Sequence, residues 1–586
     1  MPTPEPLRPG EHHHGGGALV GLGAGLSALI SLLFGLNQYV SGGTLSLTNP
    51  DSFMRLVRLR DELAAGHALQ MVARDASGQG LLLHWSHLLE ALLALLATPL
   101  SWVMPPSEAL SWTALLLGPA SMAILGAVLV WALLPVASRD FLWTSAPAVA
   151  LSPSVICYGQ VGVVHHHILL AAAATALAGW TLRLLRGLSG RDGGLALAAW
   201  ATGGFWLSPE IFPAVFLTYV GLGWGWLRAP DTPGLRAGIA AAGLALPALL
   251  LAVLLVDPPA GGLLTPAIDH ISSLWLAFAL AVAATALAVA RDRRLWAGGV
   301  GVASILLWLA CFPEVLRGTD VLVQVEQARA VFASILEMRP VRTLSDALML
   351  LVPGAAALLL LAALAWRRRS WGYGYAALCV AITLVLAQQH VRFSTYTAIM
   401  GAAALPGWLE ILTFRLRTHL VGAMFARVLL TAGWILLPSG VAILSNSSRL
   451  TTTSSHGLSS DTLPACRVAD AVPMLRQAAG QIVLAHINFT PELLYRTKVL
   501  TVGSLYVRGQ EAAVRLEAAW ADTAWDQPGP AMEATGAHYV LVCRQAARPP
   551  AGVETLEGRL LRGEHPDWLR EVAAEPSGFV LYERLR

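Results

Sequence analysis

Charged side chains are scarce in this chain of 586 residues. Aspartate, glutamate, lysine and arginine together make up 13% of it, whereas hydrophobic residues make up 55%, and the mean hydropathy is +0.60. A soluble globular domain has a charged fraction of about 25%. The composition is therefore that of an integral membrane protein.

An excess of positive charge is also missing, since the formal net charge is only +3. Lys498 is the only lysine, which fits a high-GC bacterial coding bias, and arginines spread over short loops supply most of the positive charge. A protein that binds nucleic acid needs its basic residues massed in one patch. We therefore predict no nucleic-acid partner.

Motifs of soluble enzymes are missing as well. The sequence contains no Walker loop, no GxSxG elbow, no CxxC pair, no HExxH motif and no Rossmann fingerprint in a strand-turn-helix setting. These motifs carry phosphate binding, nucleophilic catalysis, redox chemistry and zinc-dependent hydrolysis. Their absence disfavours ATP-driven transport and ordinary hydrolase chemistry.

Thirteen hydrophobic segments come close to the length that crosses a bilayer, about 17 to 25 residues. They lie at residues 17–38, 109–136, 141–158, 164–184, 193–208, 210–227, 237–256, 272–290, 295–312, 348–366, 372–388, 394–413 and 428–445. At Ser208, Pro209 and Glu210 one proline-interrupted helix would give a similar pattern. The first segment lacks a clear cleavage site before Asp51, so we predict a retained span rather than a signal peptide.

Arginines collect in alternate loops between these segments. With the N-terminus inside, the predicted cytoplasmic loops contain Arg139, Arg183, Arg186, Arg191, Arg228, Arg236, Arg291, Arg293, Arg294, Arg367, Arg368, Arg369, Arg415, Arg417 and Arg427. The short loops on the other side hold almost none, with Arg392 as the exception. This is the positive-inside pattern, and an odd number of spans places the C-terminal region outside.

The sequence thus divides into a cytoplasmic tail (1–16), a transmembrane domain (17–445) and an outer tail (446–586). Two long outer loops interrupt the transmembrane domain, at 41–107 and 311–347. The first loop contains two amphipathic pieces, 53–64 and 84–96, which predict helices lying on the membrane surface. Helical spacing recurs in the second loop at 321–337.

After a linker rich in serine and threonine, the outer tail alternates helical and strand-like segments, which predicts a small α/β domain. The helical segments are 468–479 and 510–519, and the strand-like ones are 482–485, 499–507, 538–543 and 579–584. Cys466 and Cys543 lie in this tail. In an oxidising periplasm they can form a disulfide, and two unpaired buried thiols are the alternative.

Ionisable residues gather at the predicted outer face. Asp51 follows the first span closely, and the other outer loops contribute His165, His166, His167, Glu210, Glu337, His390 and Arg392. Polar groups at the edge of a bilayer are costly, so their convergence on one side indicates a site. Asp51 has a second interpretation, because an aspartate there also suits the N-cap of a helix beginning at Phe53.

The order of several short runs resembles a known superfamily. The runs are Asp51-Ser52-Phe53-Met54-Arg55-Leu56, Arg60-Asp61 and His84-Trp85-Ser86, followed by His166-His167, Ser208-Pro209-Glu210, Arg392-Phe393 and the tail around Tyr506. With the succession of spans, loops and tail, they resemble the GT-C fold of polyprenyl-phosphate-dependent glycosyltransferases. The topology is similar to the oligosaccharyltransferase catalytic subunit, and the runs are similar to those of a proteobacterial GT-C-like group.

The sequence departs from the oligosaccharyltransferase pattern in two places. It lacks the W-W-D-Y-G motif that reads the acceptor sequon, and Ala519-Trp520-Ala521-Asp522 does not replace it. The second outer loop of that family carries an acidic pair for a metal ion, whereas His165 stands where the related group has an aspartate. The acceptor and the dependence on metal are therefore left open by the resemblance.

The resemblance implies inverting transfer of a sugar from a polyprenyl-phosphate or -diphosphate carrier to a lipid, glycan or protein acceptor. It also implies a bacterial inner-membrane location with a periplasmic C-terminal domain. Asp51 would be the catalytic base or a metal ligand, and Glu210 and Glu337 are candidates for a second carboxylate. The alternative for both glutamates is a non-catalytic role, as a helix cap or as a solvated side chain.

Positive groups are needed for the leaving phosphate, and the metal is expected to be Mg²⁺ or Mn²⁺ if one is used. The predicted substrate-binding residues are Arg55, Arg58, His84, His390 and Arg392. For the first two, contact with lipid headgroups from the polar side of a surface helix is an equal alternative. The predicted metal ligands are His165, His166 and His167 together with Asp51, although adjacent histidines on a helix would point in different directions.

Two other classes of function stay open. A secondary transporter would show matched halves and broken helices near the bilayer midplane, and no internal repeat is evident in the sequence. A non-catalytic membrane scaffold would bind partners through its tail. A scaffold would tolerate Asp51→Asn, whereas a GT-C enzyme would lose turnover.

Overall fold

The computed structural model describes residues 16–42, 45–333, 335, 337–413, 420–447, 466–545 and 554–585. The predicted cytoplasmic tail up to residue 15 and the linker at 448–465 lie outside these residues. The chain divides into two compact units. The first takes in the described parts of Met1–Ser46, Ser107–Leu316 and Pro340–Ser447, and the second those of Leu47–Pro106, Arg317–Arg339 and Ser448–Arg586.

The first unit is helical, and a helix or a bent pair of helices forms at each of the thirteen predicted hydrophobic segments. The α-helices are Gly16–Gly42, Pro106–Leu133, Arg139–Leu142, Ser145–Ala150, Pro153–Gly159, His167–Leu185, Arg191–Leu207, Phe212–Arg228, Leu235–Val256, Ser273–Ala290, Arg294–Cys311, Leu344–Leu350, Val352–Arg368, Trp371–Gln389, Ser394–Thr413 and Leu420–Ser447. The 3₁₀ helices Pro209–Ile211 and Val391–Phe393 join neighbouring α-helices, and a third, Pro313–Leu322, begins at the end of this unit.

Two predicted spans are broken. In place of the segment 141–158, Arg139–Ala150 and Pro153–Gly159 meet at a bend of 70°, and Leu344–Leu350 meets Val352–Arg368 at 55° where 348–366 is expected to be straight. A proline stands in the first turn after each break. At the first break the residue before the proline, Ser152, is extended, as proline favours. At the second, Pro353 lies in the first turn of the new helix, where proline's missing N–H is tolerated.

By length and composition, eight helices of the described residues are able to cross a membrane, or ten if each bent pair counts as one span. The predicted total of thirteen spans stays a prediction. The question at Ser208 is answered, since this residue is extended, with φ −167° and ψ 135°. Two separate helices flank it rather than one kinked helix.

Small residues bring the helices of the first unit close together. A Cβ atom on Gly194 would lie 2.1 Å from the backbone oxygen of Gly238. The helices Arg191–Leu207 and Leu235–Val256 therefore touch backbone to backbone, as helices packed in membranes commonly do.

The second unit is an α/β domain to which both predicted outer loops contribute. Its α-helices are Pro50–Ala65, Leu88–Leu100, Glu326–Ala333, Val468–Ala471, Thr490–Arg496, Gln510–Trp520, Pro530–Thr535 and Leu556–Leu561, and its 3₁₀ helices are Ala76–Gly78, Met474–Ala478 and Val507–Gly509. Its strands are β1 (Met71–Val72), β2 (Leu81–Leu82), β3 (Ile482–Leu484), β4 (Leu500–Thr501), β5 (Tyr539–Cys543), β6 (Leu569–Ala574) and β7 (Phe579–Arg584).

Five strands form the main sheet, in the order β4-β3-β5-β7-β6. β3 is parallel to β4 and β5, whereas β7 is antiparallel to β5 and β6. The predicted α/β tail is thus present, although β6 was not expected and the predicted strand 499–507 shortens to β4. Cys466 and Cys543 form a disulfide with Cα atoms 6.1 Å apart, so the alternative of two unpaired thiols was wrong.

Candidate functional site

Asp51 lies in the first turn of the helix Pro50–Ala65, which we call the Asp51 helix. Asn49 is the N-cap of this helix, since its side-chain oxygen accepts the backbone N–H of Asp51 at 2.8 Å. The interpretation of Asp51 as the cap of a helix at Phe53 was therefore wrong. The carboxylate is half-buried, and its Oδ1 accepts a hydrogen bond of 3.0 Å from the phenol of Tyr506.

Arg55 and Arg58 follow on the same helix and are 2% and 1% exposed. Both guanidiniums meet Oε1 of Glu90, which is 1% exposed, at 2.9 Å from Nη1 of Arg55 and 2.5 Å from Nη2 of Arg58. The alternative that these arginines contact lipid headgroups was wrong, because both are buried and paired with Glu90 inside the unit. A role in binding phosphate stays a prediction.

Electrostatics favours the ionised form of this buried cluster. Burial alone would raise the pKa of Glu90, but the charges of Arg58 and Arg55 and the hydrogen bond from Arg58 outweigh it and hold the pKa below 4.5. Burial lowers the pKa of Arg55, and the Glu90 charge opposes that change. Glu62 is a further counter-charge, 3.9 Å from Nε of Arg58, and the charge of Asp51 acts on Arg55.

The His84-Trp85-Ser86 run packs against the two arginines of this cluster. The guanidinium carbon of Arg55 lies 4.2 Å from the centre of the Trp85 ring, a cation–π contact. Arg58 donates to the backbone oxygens of Trp85 and Ser86, at 2.8 and 2.9 Å. The His84 ring lies 5.6 Å from that of Trp85, and its predicted contact with substrate stays untested.

The Tyr506 ring packs edge-on against Trp85, with 5.0 Å between ring centres. Burial and the neighbouring Asp51 carboxylate raise the pKa of its phenol, so the phenol keeps its proton and donates to Asp51. Asp51, Tyr506, Trp85, Arg55 and Glu90 thus form one contiguous cluster. The sequence identified Tyr506 only through resemblance and gave no role to Glu90.

A second buried carboxylate, that of Asp75, connects the first loop to β4. Its oxygens accept hydrogen bonds from the backbone N–H of Ala76 at 2.7 Å, from the Thr501 hydroxyl at 2.8 Å and from the Ser504 hydroxyl. Burial raises the pKa of Asp75, and these hydrogen bonds oppose the rise. The sequence gave no sign of this residue, because its partners are more than 400 positions away.

The three consecutive histidines belong to the first unit and are all buried. Each has a ligand atom within 4.8 Å of those of the other two. The expectation that adjacent histidines cannot converge was wrong, because His165 and His166 precede the helix that begins at His167. Tyr158 lies against the cluster, 4.6 Å from the His167 ring.

Three imidazole nitrogens suit a divalent transition metal such as Zn²⁺. Mg²⁺ and Mn²⁺ favour oxygen ligands, so this donor set does not fit the metals expected from the resemblance. His165, His166 and His167 are the candidate ligands for such a metal. Asp51, the fourth predicted ligand, belongs to the second unit.

Glu210 and Arg392 form an ion pair in the first unit, with 2.7 Å between Oε1 and Nη1. Each stands on a 3₁₀ helix that joins two longer helices, and His390 is the N-cap residue directly before the second 3₁₀ helix. Two predicted site residues are thereby brought together. Their roles as second carboxylate and phosphate ligand stay predictions.

The first unit contains a further buried carboxylate, Asp257, at the end of the helix Leu235–Val256. Its Oδ2 accepts a hydrogen bond of 2.8 Å from the Trp206 indole, and His270 lies 3.8 Å from its Oδ1. Asp257 and His270 were not among the predicted site residues. Glu337, the remaining predicted carboxylate, belongs to the second unit, after the helix Glu326–Ala333, and is half-buried.

No family model matches the sequence, and no curated protein matches it. Solved structures of the oligosaccharyltransferase AglB from the archaeon Archaeoglobus fulgidus do match the structure. AglB in complex with an inhibitory peptide and a dolichol-phosphate has a TM-score of 0.69 at 14% identity, over 90% of this chain and 69% of that one.

Two further AglB structures have a TM-score of 0.67. The complex with zinc and sulfate is 13% identical over 97% of this chain and 73% of that one. The enzyme tethered to an acceptor peptide containing an NVT sequon is 14% identical over 97% of this chain and 74% of that one. This chain therefore has the fold of the archaeal oligosaccharyltransferase, which is the fold that the resemblance in the sequence predicts.

Proposed function

We propose that this protein is a membrane glycosyltransferase that moves a sugar from a polyprenyl-phosphate or -diphosphate carrier to a lipid, glycan or protein acceptor. The observation that carries the proposal is Asp51, a half-buried carboxylate in the first turn of the Asp51 helix, in a chain with the fold of AglB. AglB has been solved with a dolichol-phosphate, which supports a lipid-linked donor here.

Asp51 would act as the general base. As the acceptor hydroxyl attacks the anomeric carbon, its proton passes to the Asp51 carboxylate, and the bond between the sugar and the carrier phosphate breaks. The products are the glycosylated acceptor and the free carrier, a polyprenyl phosphate or diphosphate according to the donor. Attack opposite the leaving phosphate inverts the anomeric centre, which is the outcome that the GT-C resemblance implies.

The leaving phosphate accumulates negative charge, and positive groups would stabilise it. Arg392 is the candidate in the first unit, where it pairs with Glu210. In the second unit Arg55 and Arg58 are the predicted candidates, and both pair with Glu90. A divalent transition metal held by His165, His166 and His167 would supply further positive charge.

Two observations support a periplasmic location for the C-terminal domain. The Cys466–Cys543 disulfide is typical of an oxidising compartment. The arginines of the predicted loops follow the positive-inside pattern, which with thirteen spans would put the N-terminus in the cytoplasm and the C-terminal domain on the other side of the inner membrane.

Asp51→Asn tests the proposal, with Asp61→Asn as the matched control on the same helix. The Asp61 side chain is 32% exposed and lies near the exposed Arg60, so its loss should be silent. Mass spectrometry of membrane lipids and surface glycans is compared among the two variants, the wild type and cells without the gene. We expect Asp51→Asn to lower turnover about 10²- to 10⁴-fold and to accumulate a polyprenyl-linked sugar, as in cells without the gene.

The Asp51→Asn protein must be present in the membrane at the wild-type level. If it then leaves lipids and glycans unchanged, the glycosyltransferase proposal is rejected in favour of a scaffold or a transporter. Loss of glycans in the Asp61→Asn strain as well would point to damage of the helix instead of the base.

A further inference from the structure

The hydrogen bond between Tyr506 and Asp51 joins two residues that are 455 positions apart. Tyr506 follows β4 in the C-terminal part of the second unit and is 3% exposed. Packing on all sides restricts the movement of such a deeply buried phenol, and its hydroxyl donates a hydrogen bond to the carboxylate of the proposed base.

The packing below Tyr506 fixes its ring. Trp85 meets the ring edge-on, at 5.0 Å between centres, and the Arg55 guanidinium lies against Trp85 at 4.2 Å. Glu90 in turn holds Arg55. A functional group is most precise when packed neighbours lock the side chain that orients it, and Tyr506 has such neighbours.

We propose that Tyr506 is a positioning residue for Asp51, so that the C-terminal domain takes part in catalysis through the orientation of the base. The inference rests on the proposed function. The phenol O–H holds Asp51 Oδ1 and thereby restricts rotation of the carboxylate. A base that is free to rotate spends less time aligned with the acceptor hydroxyl, which lowers the rate of the chemical step more than substrate binding.

Tyr506→Phe tests this inference, because it removes the hydroxyl and keeps the ring against Trp85. Tyr495→Phe is the matched control, since the Tyr495 hydroxyl has no hydrogen-bond partner among the described residues. Full-length protein in lipid nanodiscs is mixed with a lipid extract and with membranes, both prepared from cells without the gene. The lipid extract supplies the donor and is added at increasing concentrations, and the membranes supply the acceptor. Consumption of the polyprenyl-linked sugar is followed by mass spectrometry, and the unfolding temperature of each variant is measured.

We expect Tyr506→Phe to lower kcat about tenfold, with KM within about twofold of the wild type. Its unfolding temperature should match that of the wild type, and Tyr495→Phe should match the wild type in all three quantities. An unchanged kcat in Tyr506→Phe overturns the inference, while the proposed function stands if Asp51→Asn is inactive. A fall in kcat that is accompanied by a lower unfolding temperature also overturns the inference, since that indicates a structural role. If the wild type consumes no donor, the proposed function fails and the inference fails with it.

Discussion

Glu90 pairs with two buried guanidiniums, those of Arg55 and Arg58, through a single carboxylate oxygen. Glu90→Gln keeps the shape of the side chain and removes its charge, so two cations stay buried with too little counter-charge. Breaking a buried ion pair in this way costs about 3 to 5 kcal/mol. We expect the variant to unfold at a clearly lower temperature, or to be lost from the membrane.

Glu554→Gln is a suitable control for the Glu90 variant. Glu554 pairs with Arg559 and Arg562, but its side chain is 56% exposed, and an exposed pair contributes about 1 kcal/mol or less. Equal unfolding temperatures of the two variants would contradict the importance of the buried cluster. The measurement is thermal unfolding of the purified full-length protein in detergent.

The lowered pKa of Glu90 gives this cluster a defined pH dependence. The carboxylate of the unfolded chain titrates near 4.5, and that of the folded chain titrates below it. The stability that Glu90 contributes is therefore complete above about pH 4.5 and is lost as the pH falls through the lower, folded value. Glu90→Gln should lack this component of acid unfolding.

At the residue scale, the sequence shows which side chains are candidates for the site but not which side chains they contact. Arg55 and Arg58 are three positions apart, a spacing typical of the polar side of a surface helix. Nothing nearby in the sequence indicates that both pair with Glu90, which lies 35 residues beyond Arg55. The same holds for Tyr506. The histidines were misjudged for a local reason, since the helix begins at His167, three residues after the start of the predicted segment at 164.

At the scale of secondary structure, the disulfide of the C-terminal domain joins the start of its first helical segment to the end of β5. Cys466 and Cys543 are 77 positions apart in the sequence, and loss of a native disulfide costs a small domain about 2 to 5 kcal/mol. We expect the double variant Cys466→Ala, Cys543→Ala to unfold at a lower temperature than the wild type. A reducing agent should lower the unfolding temperature of the wild type and leave that of the double variant unchanged.

Cys311→Ala is the matched control for the disulfide variant, because Cys311 is an exposed, free cysteine. Its unfolding temperature should equal that of the wild type, with and without the reducing agent. A wild type that is insensitive to reduction would argue against any contribution of the disulfide to stability.

Helices were more predictable than strands in this chain. Long apolar runs have a strong signal, and the structure has helices at all thirteen. Short strands have a weak signal, because their pairing depends on partners far away in the sequence. The strand expected at 499–507 is therefore limited to Leu500–Thr501. The sequence analysis missed β6, in which the consecutive residues Arg570 and Glu571 are both exposed.

At the scale of the whole molecule, hydropathy predicts the order of spans, loops and tail, but not which of them fold together. The segment before Glu326 joins the C-terminal part of the second unit through the Gln510 side chain, which accepts the backbone N–H groups of Gln324 and Val325 at 2.8 and 2.9 Å. Such contacts depend on single side chains, and a hydropathy pattern does not record them.

The topology can be tested by the parity of the spans. Thirteen spans place the two ends of the chain on opposite sides of the membrane, whereas eight or ten place them on the same side. The positive-inside pattern requires the loop of Arg367, Arg368 and Arg369 to be cytoplasmic. We expect alkaline phosphatase, which needs an oxidising compartment to fold, to be active when fused after Arg586 and inactive when fused after Arg369. A green fluorescent protein fused at the same two positions should give the opposite result. An inactive phosphatase after Arg586 would mean an even number of spans, and it would place the C-terminal domain, with its disulfide and Tyr506, in the cytoplasm.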